Sequence, residues 1–187
     1  MIDTIRSFIA VHLSDRVREQ IAEFQSGLKR SAADVKWVRP ESMHITLKFL
    51  GDIAPDQIKS ITNIMHELSR PVNSFMLTIR GVGCFPNESR PRVLWLGIQT
   101  DNDVLINIGN GLNAALQDID FEPEKRSFKP HLTLGRVKSQ KNIYDVVQQM
   151  HAEGFDSEPF CVDTIHLMQS KLKPSGAEHN ILKSIQL

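Results

Sequence analysis

His44-Ile45-Thr46-Leu47-Lys48-Phe49-Leu50 and His131-Leu132-Thr133-Leu134-Gly135-Arg136 carry one pattern twice, His-x-Thr-x inside a run that reads as a β-strand. Side chains alternate along a strand, so His44, Thr46 and Lys48 should share one face and Ile45, Leu47 and Phe49 the other. The second copy sets His131 and Thr133 against Leu132 and Leu134 in the same way. The apolar face of each strand must be buried against helices, and the polar face must look into a groove. A single His-x-Thr on a strand is ordinarily a hydrogen-bonded polar edge. Two copies in matching contexts place two imidazoles and two hydroxyls across one cleft.

The flanking sequence supplies the rest of the architecture. Residues 6–13 alternate and are rich in Ile, Phe and Val, which predicts a strand. Ser14-Asp15 then opens a helix with Val17, Ile21, Phe24 and Leu28 at helical spacing. Further helices are expected from about Pro55 to before Pro71, from Asn102 or Asp103 through Leu116, and over residues 143–150. Strands are expected at residues 35–38, 44–50, 75–82, 93–98, 131–137, 160–168 and 181–187, with a polar loop at 118–130. The order repeats. The motif histidines lie 87 residues apart (131 − 44), and each motif strand is followed by a helix and a Phe-led strand, at Phe75 and Phe160. A Pro-containing turn (Pro86, Pro174) and a closing apolar strand end each half. The expectation is a duplicated chain, one domain over residues 1–187 built of two lobes about a pseudo-two-fold axis.

Composition narrows the function classes. Basic and acidic residues balance at 22 each, so no global field attracts long polyanions. Cys84 and Cys161 are the only cysteines, too few for a disulfide framework or a thiolate metal site. The N-terminal apolar run is too short and interrupted for a signal peptide, and no stretch reaches the roughly 20 apolar residues of a membrane span. A soluble cytoplasmic protein is expected, acting as a monomer.

Two histidines and two threonines make an acid–base site for a phosphate ester. Hydrolysis of a phosphodiester needs a proton taken from water and a proton given to the leaving alkoxide, and imidazole suits both tasks with an ordinary pKa near 6.5. The threonine hydroxyls would donate to the non-bridging oxygens. A 2′,3′-cyclic phosphate fits this device, because ring strain removes the need for a strong Lewis acid. No cofactor is expected. The motif pairs His with Thr, not with carboxylate or thiolate, and no His-Glu-x-x-His stretch occurs, so no metal is implied.

Other residues are read more openly. His12, His66, His151 and His166 lack a comparable context and are taken as structural or solvated; His179, in a Gly-Ala-Glu-His turn, could approach a ligand. Lys48, Arg92, Phe128 and Arg136 are candidate substrate contacts, with a solvated rim lysine the alternative for Lys48. Arg90 and Arg92 either hold a second phosphate or form a charged turn. Lys125, Arg126, Lys129 and Lys138 flank the second motif and could bind RNA backbone locally. Trp37, Phe85 and Phe128 are candidate stacking platforms, whereas Trp95 reads as core.

At these residues the sequence resembles the two-histidine (2H) phosphoesterase superfamily, and within it the bacterial and archaeal RNA 2′,3′-cyclic phosphodiesterases once described as 2′-5′ RNA ligases. The resemblance covers nearly the whole chain: RSFIAVHLSD, VRPESMHITLKFLGDI, GVGCFPNESRPRVLWLGI, KPHLTLGRVK and KLKPSG. It implies a bilobal α+β fold in which two antiparallel sheets line a central cleft with helices outside. It also implies opening of RNA 2′,3′-cyclic phosphate ends to 2′-phosphomonoesters, with cleaved tRNA halves among the candidate substrates. By that resemblance His44 is the proton donor, His131 the proton acceptor, and Thr46 and Thr133 hold the phosphate; the motif spacing itself is symmetric and leaves donor and acceptor open. The chain departs from many relatives at residues 176–179, where a tyrosine or similar residue often follows the glycine. ATP-independent 2′-5′ ligation at the same site, a non-catalytic RNA-end binding module, and another cyclic or 2′-5′-linked nucleotide as substrate stay open as alternatives.

Overall fold

The computed structural model describes residues 4–100, 102–124, 128–173 and 176–187. Its order is β1 (Ile5–His12), α1 (Asp15–Lys29), β2 (Val35–Trp37), β3 (His44–Ile53), α2 (Gln57–Ser69), β4 (Phe75–Phe85), β5 (Val93–Thr100), α3 (Val104–Ala115), β6 (His131–Val137), α4 (Ile143–Glu153), β7 (Phe160–Val162), β8 (Thr164–Lys173) and β9 (Gly176–Gln186). Short 3-10 turns cover Pro40–Ser42 and Leu116–Ile119. The chain is α+β. Two antiparallel sheets, β3-β1-β8-β9 and β2-β6-β5-β4-β7, line a central cleft, with the helices outside.

Alternation selects the faces as expected. Ile9, Val11 and Ile45 are fully buried on the helix side of the first sheet, as are Leu94, Leu96, Leu132 and Leu134 in the second. They join one core with Val17, Ile21 and Leu28 of α1, Ile61 and Met65 of α2, Leu105 and Leu112 of α3, and Val146 and Met150 of α4. Helix α1 begins where Ser14 predicts: the Ser14 hydroxyl accepts from the Val17 amide at 3.2 Å. Helices α2 and α3 pack on the first sheet and α4 on the second. Gln25 of α1 lies wholly buried, and its amide nitrogen donates to Val38 O (2.8 Å) and Leu134 O (3.1 Å). That side chain fastens α1 to the second motif strand.

The strand orders correspond. The motif strand β3 lies beside β1 and then β8; the motif strand β6 lies beside β5 and then β4. The order β1-α1-β3-α2-β4 thus matches β5-α3-β6-α4-β8, and each last strand joins the sheet of the other half. The counterpart of β5 is therefore β1. The closing-strand pairing of residues 93–98 with 181–187 does not hold, since β9 is an edge strand added beside β8. The expected single strand at 160–168 is also divided. It breaks at Asp163, where the chain crosses from β4 of one sheet to β1 of the other. An unbroken apolar pattern does not record such a crossing. Residues 176–179 begin β9 rather than forming a turn, because β8 and β9 pair out to Lys173 and Gly176. Pro174, read as a turn, lies outside the described residues, as do Lys125 and Arg126.

Candidate active site

The two motif strands approach each other where the sheets meet. On β3, His44 lies opposite His12 and Thr46 opposite Ala10. On β6, His131 lies opposite Gly97 and Thr133 opposite Trp95. The imidazoles are oriented alike: His44 Nδ1 is 2.9 Å from Ser42 O, and His131 Nδ1 is 2.8 Å from Lys129 O. A carbonyl oxygen only accepts, so Nδ1 carries the hydrogen in both rings. Nε2 is left as the free nitrogen, a base when the ring is neutral and an acid when it is charged. All four motif residues are half-buried.

A β-bulge follows each motif, and it alters what alternation predicts. Thr46 pairs with Ala10 but Lys48 with Ile9, which leaves Leu47 as the extra residue. Likewise Thr133 pairs with Trp95 but Gly135 with Leu94, which leaves Leu134 extra. The bulge reverses the phase, so Lys48 turns to the core side, 3% exposed, and Phe49 turns to the cleft, 60% exposed. The Lys48 ammonium donates to Asn113 Oδ1 (2.7 Å) and Glu122 O (2.9 Å), tying β3 to α3 and to the segment that leads to the second motif. It is neither a rim lysine nor on the face of His44. On β6 the same phase change leaves Gly135 inside and directs Arg136, paired with Lys36 and Val93, to the cleft face.

His44 sits in a cluster that its own motif does not reveal. Its ring stacks on Phe8 at 4.5 Å and meets His179 edge-on at 4.9 Å; His12 stacks on His166 at 4.3 Å. Phe8, Ala10 and Met168 form a small buried apolar patch on this face, separate from the main core. Burial, with His179 and His12 nearby, lowers the His44 pKa to about 4 against the opposing pull of the Ser42 carbonyl. Burial and then His166 lower His12 to about 4 as well. Burial also lowers His166 and His179. His12 and His166 are thus not the isolated residues that their sequence context implies, and only the pairing of β1 with β3 and β8 brings them to this face. His66 and His151 do lie at the surface, beside Glu67 and Glu88. Among the described residues no group of three or more His, Cys, Asp or Glu is gathered as a metal ion requires.

On the second sheet Trp95 is a cleft-face residue, not a core one. It lies across Gly83, where an added Cβ would come within 2.3 Å of the indole. Phe85 packs against both Trp95 (5.3 Å) and His131 (5.2 Å). Trp37, by contrast, pairs with Gly135 on the core side, and Phe128 packs over Gly109 of α3, so neither is offered to a ligand in the cleft. Arg92 is exposed at the β4–β5 connection, its amide donating to Phe85 O.

Paired His-x-Thr strands where two antiparallel sheets meet define a phosphoesterase of the two-histidine class. The chain belongs to the LigT-like phosphoesterase family, whose model matches it twice in tandem, over residues 11–95 and 96–177, one motif in each copy. An RNA 2′,3′-cyclic phosphodiesterase of Methanothermobacter thermautotrophicus is 32% identical over 184 residues, covering 98% of this chain and 99% of its own. That of Archaeoglobus fulgidus is 33% identical over 180 residues, covering 96% and 98%. Among solved structures, TT0787 of Thermus thermophilus superposes with a TM-score of 0.82 at 28% identity, over 98% of each chain. E. coli LigT complexed with 3′-AMP shares the fold, with a TM-score of 0.78 at 22% identity over 99% of each chain. No helix among the described residues is long and apolar enough to cross a membrane.

Proposed function

We propose that this enzyme opens 2′,3′-cyclic phosphate ends of RNA to 2′-phosphomonoesters by metal-independent acid–base catalysis between His44 and His131. The observation that carries the reading is the matched orientation of the two imidazoles, each with Nδ1 on a carbonyl two residues back and Nε2 free. The names of the full-length relatives supply the substrate class.

In this mechanism His131 Nε2 takes a proton from water as the water oxygen attacks phosphorus. The bond from phosphorus to O3′ breaks, and His44 gives its proton to O3′. The products are a 2′-phosphomonoester and a free 3′-hydroxyl, and the two imidazoles exchange protons with solvent to reset. Thr46 and Thr133 donate to the non-bridging oxygens as their charge grows. The donor role of His44 comes from the family. In the free enzyme His44 is neutral at pH 7, its pKa being about 4. A bound phosphodiester anion beside the ring favours the charged form and raises that pKa, so the acid is charged by its own substrate.

The test is hydrolysis of 2′,3′-cyclic nucleotides. His44→Ala and His131→Ala should each lower kcat by at least about 100-fold, the lower range for a lost general acid or base. Circular dichroism should report folded protein in both. Turnover near wild type in either variant, or activity lost to EDTA, would sink the mechanism.

A further inference from the structure

A cavity of about 350 Å³ opens at the end of β6 away from His131, lined by residues 90–92 of the β4–β5 connection and residues 137–140 beyond β6. Its walls are tied together. Val137 N donates to Arg92 O at 2.9 Å, Gln140 Nε2 donates to Pro91 O at 3.3 Å, and the Asn87 side chain accepts from Arg90 N at 3.0 Å. Arg90, Arg92 and Lys138 bring three cations to it, and no carboxylate lines it. None of the three forms an ion pair among the described residues, which is also true of most of the other lysines and arginines described. In a chain of zero formal net charge, three cations around one cavity with no carboxylate in its wall make a local positive patch rather than a general field.

The cavity lies at the end of the sheet, past the catalytic face: Val137 in its wall turns to the core side, while Arg136 beside it faces the cleft. Past the bulge Arg136 looks into the cleft like Thr133, with Lys36 opposite it. From His131 to Val137 the bulged strand advances five ladder steps, from Gly97 to Arg92 on its neighbour, about 17 Å at the usual rise. A mononucleotide with its phosphate at His131 does not span that distance. The ring of Phe85, packed against Trp95 and His131, lies between the two places and offers an aromatic surface to bases. A cyclic phosphate terminates its strand, so every other phosphate of the substrate lies on its 5′ side.

We propose that the cavity is a second phosphate subsite, in which Arg90, Arg92 and Lys138 hold the backbone of single-stranded RNA 5′ of the reacting end. This rests on the reading that the reacting group is an RNA terminus. The subsite makes the enzyme favour an oligonucleotide over a mononucleotide without regard to base, since backbone contacts carry no sequence information.

The experiment measures binding, which needs no turnover. A 5′-labelled single-stranded oligoribonucleotide of about ten nucleotides, ending in a 2′-phosphate, spans one site of the size such grooves cover. Fluorescence anisotropy at several salt concentrations should show tighter binding than 2′-AMP. The Arg90→Gln/Lys138→Gln variant should bind the oligomer several-fold more weakly. The slope of log affinity against log salt should become shallower by about 1.4, two contacts at about 0.7 each. Its affinity for 2′-AMP and its turnover of 2′,3′-cyclic AMP should match wild type. Lys59→Gln, on the exposed face of α2, should change none of these. An unchanged affinity and slope in the double variant overturns the subsite, and so does an equal loss in Lys59→Gln or wild-type protein that binds the oligomer no better than 2′-AMP. Absence of cyclic-nucleotide hydrolysis would instead refute the proposed activity, and the binding result would still decide the subsite.

Discussion

His44 and His131 share a motif and a tautomer, yet His44 lies in a nest of aromatic and imidazole rings, with Phe8 beneath it and His179 at its edge. Two consequences can be measured. Between about pH 6.5 and 4 the unfolded chain holds protons on His44 and His12 that the folded chain does not, so stability rises with pH through this window and falls on acidification. Carboxylates remain charged over the upper part of the window. The urea midpoint should therefore drop between about pH 6.5 and 5, and the drop should shrink in His12→Gln. A midpoint flat over that range would contradict the burial of these rings. The second consequence concerns the ligand. If an anion beside His44 raises its pKa, 2′-AMP binding near neutral pH must take up protons. Calorimetry in buffers of different ionisation enthalpy reads that uptake directly; its loss in His44→Ala would assign it, and proton-neutral binding by wild type would remove His44 as the substrate-charged acid.

At the scale of strands and helices, the sequence is legible wherever local pattern decides. The Ser14 cap, the apolar stripes of the four helices and both motif strands can be read from spacing alone. The faces of the motif strands can be read only as far as the bulges. One extra residue at Leu47 and one at Leu134 reverse the alternation, and neither has a local signal because each is itself a buried apolar residue. Strict alternation exchanges Lys48 and Phe49 between faces for that reason. Residues that only pairing brings together, such as His12 with His166, are equally hidden. Trp95 passes for core because a large aromatic in an apolar run resembles core unless a glycine is known to lie beneath it. The two readings of Lys48 predict different phenotypes. As a tie between β3 and α3, Lys48→Ala should cost about 2–3 kcal/mol of stability through lost packing and lost hydrogen bonds, with turnover of the folded protein near wild type. Urea denaturation and cyclic-nucleotide kinetics decide: unchanged stability with lost activity would return Lys48 to the cleft.

At the scale of the whole molecule, the strand exchange governs how the chain must assemble. The path runs from β1 in the first sheet to β2 in the second, back to β3, over again for β4 to β7, and back for β8 and β9. Neither half of the sequence contains a complete sheet, so neither can bury its own apolar faces. A cut in the exposed turn at residues 87–90 should give two fragments that are separately disordered, as amide proton spectra would show. Mixed in equal amounts they should recover both the native spectrum and cyclic-phosphate hydrolysis. An N-terminal fragment that folds alone would contradict this account. The pairings β1 with β8 and β2 with β6 each join residues far apart in sequence, which makes folding slow for a chain of this size, since such loops must close before their contacts are gained. The His-x-Thr motif thus stands in the chain twice, yet no cut between its two copies leaves either one with a complete sheet.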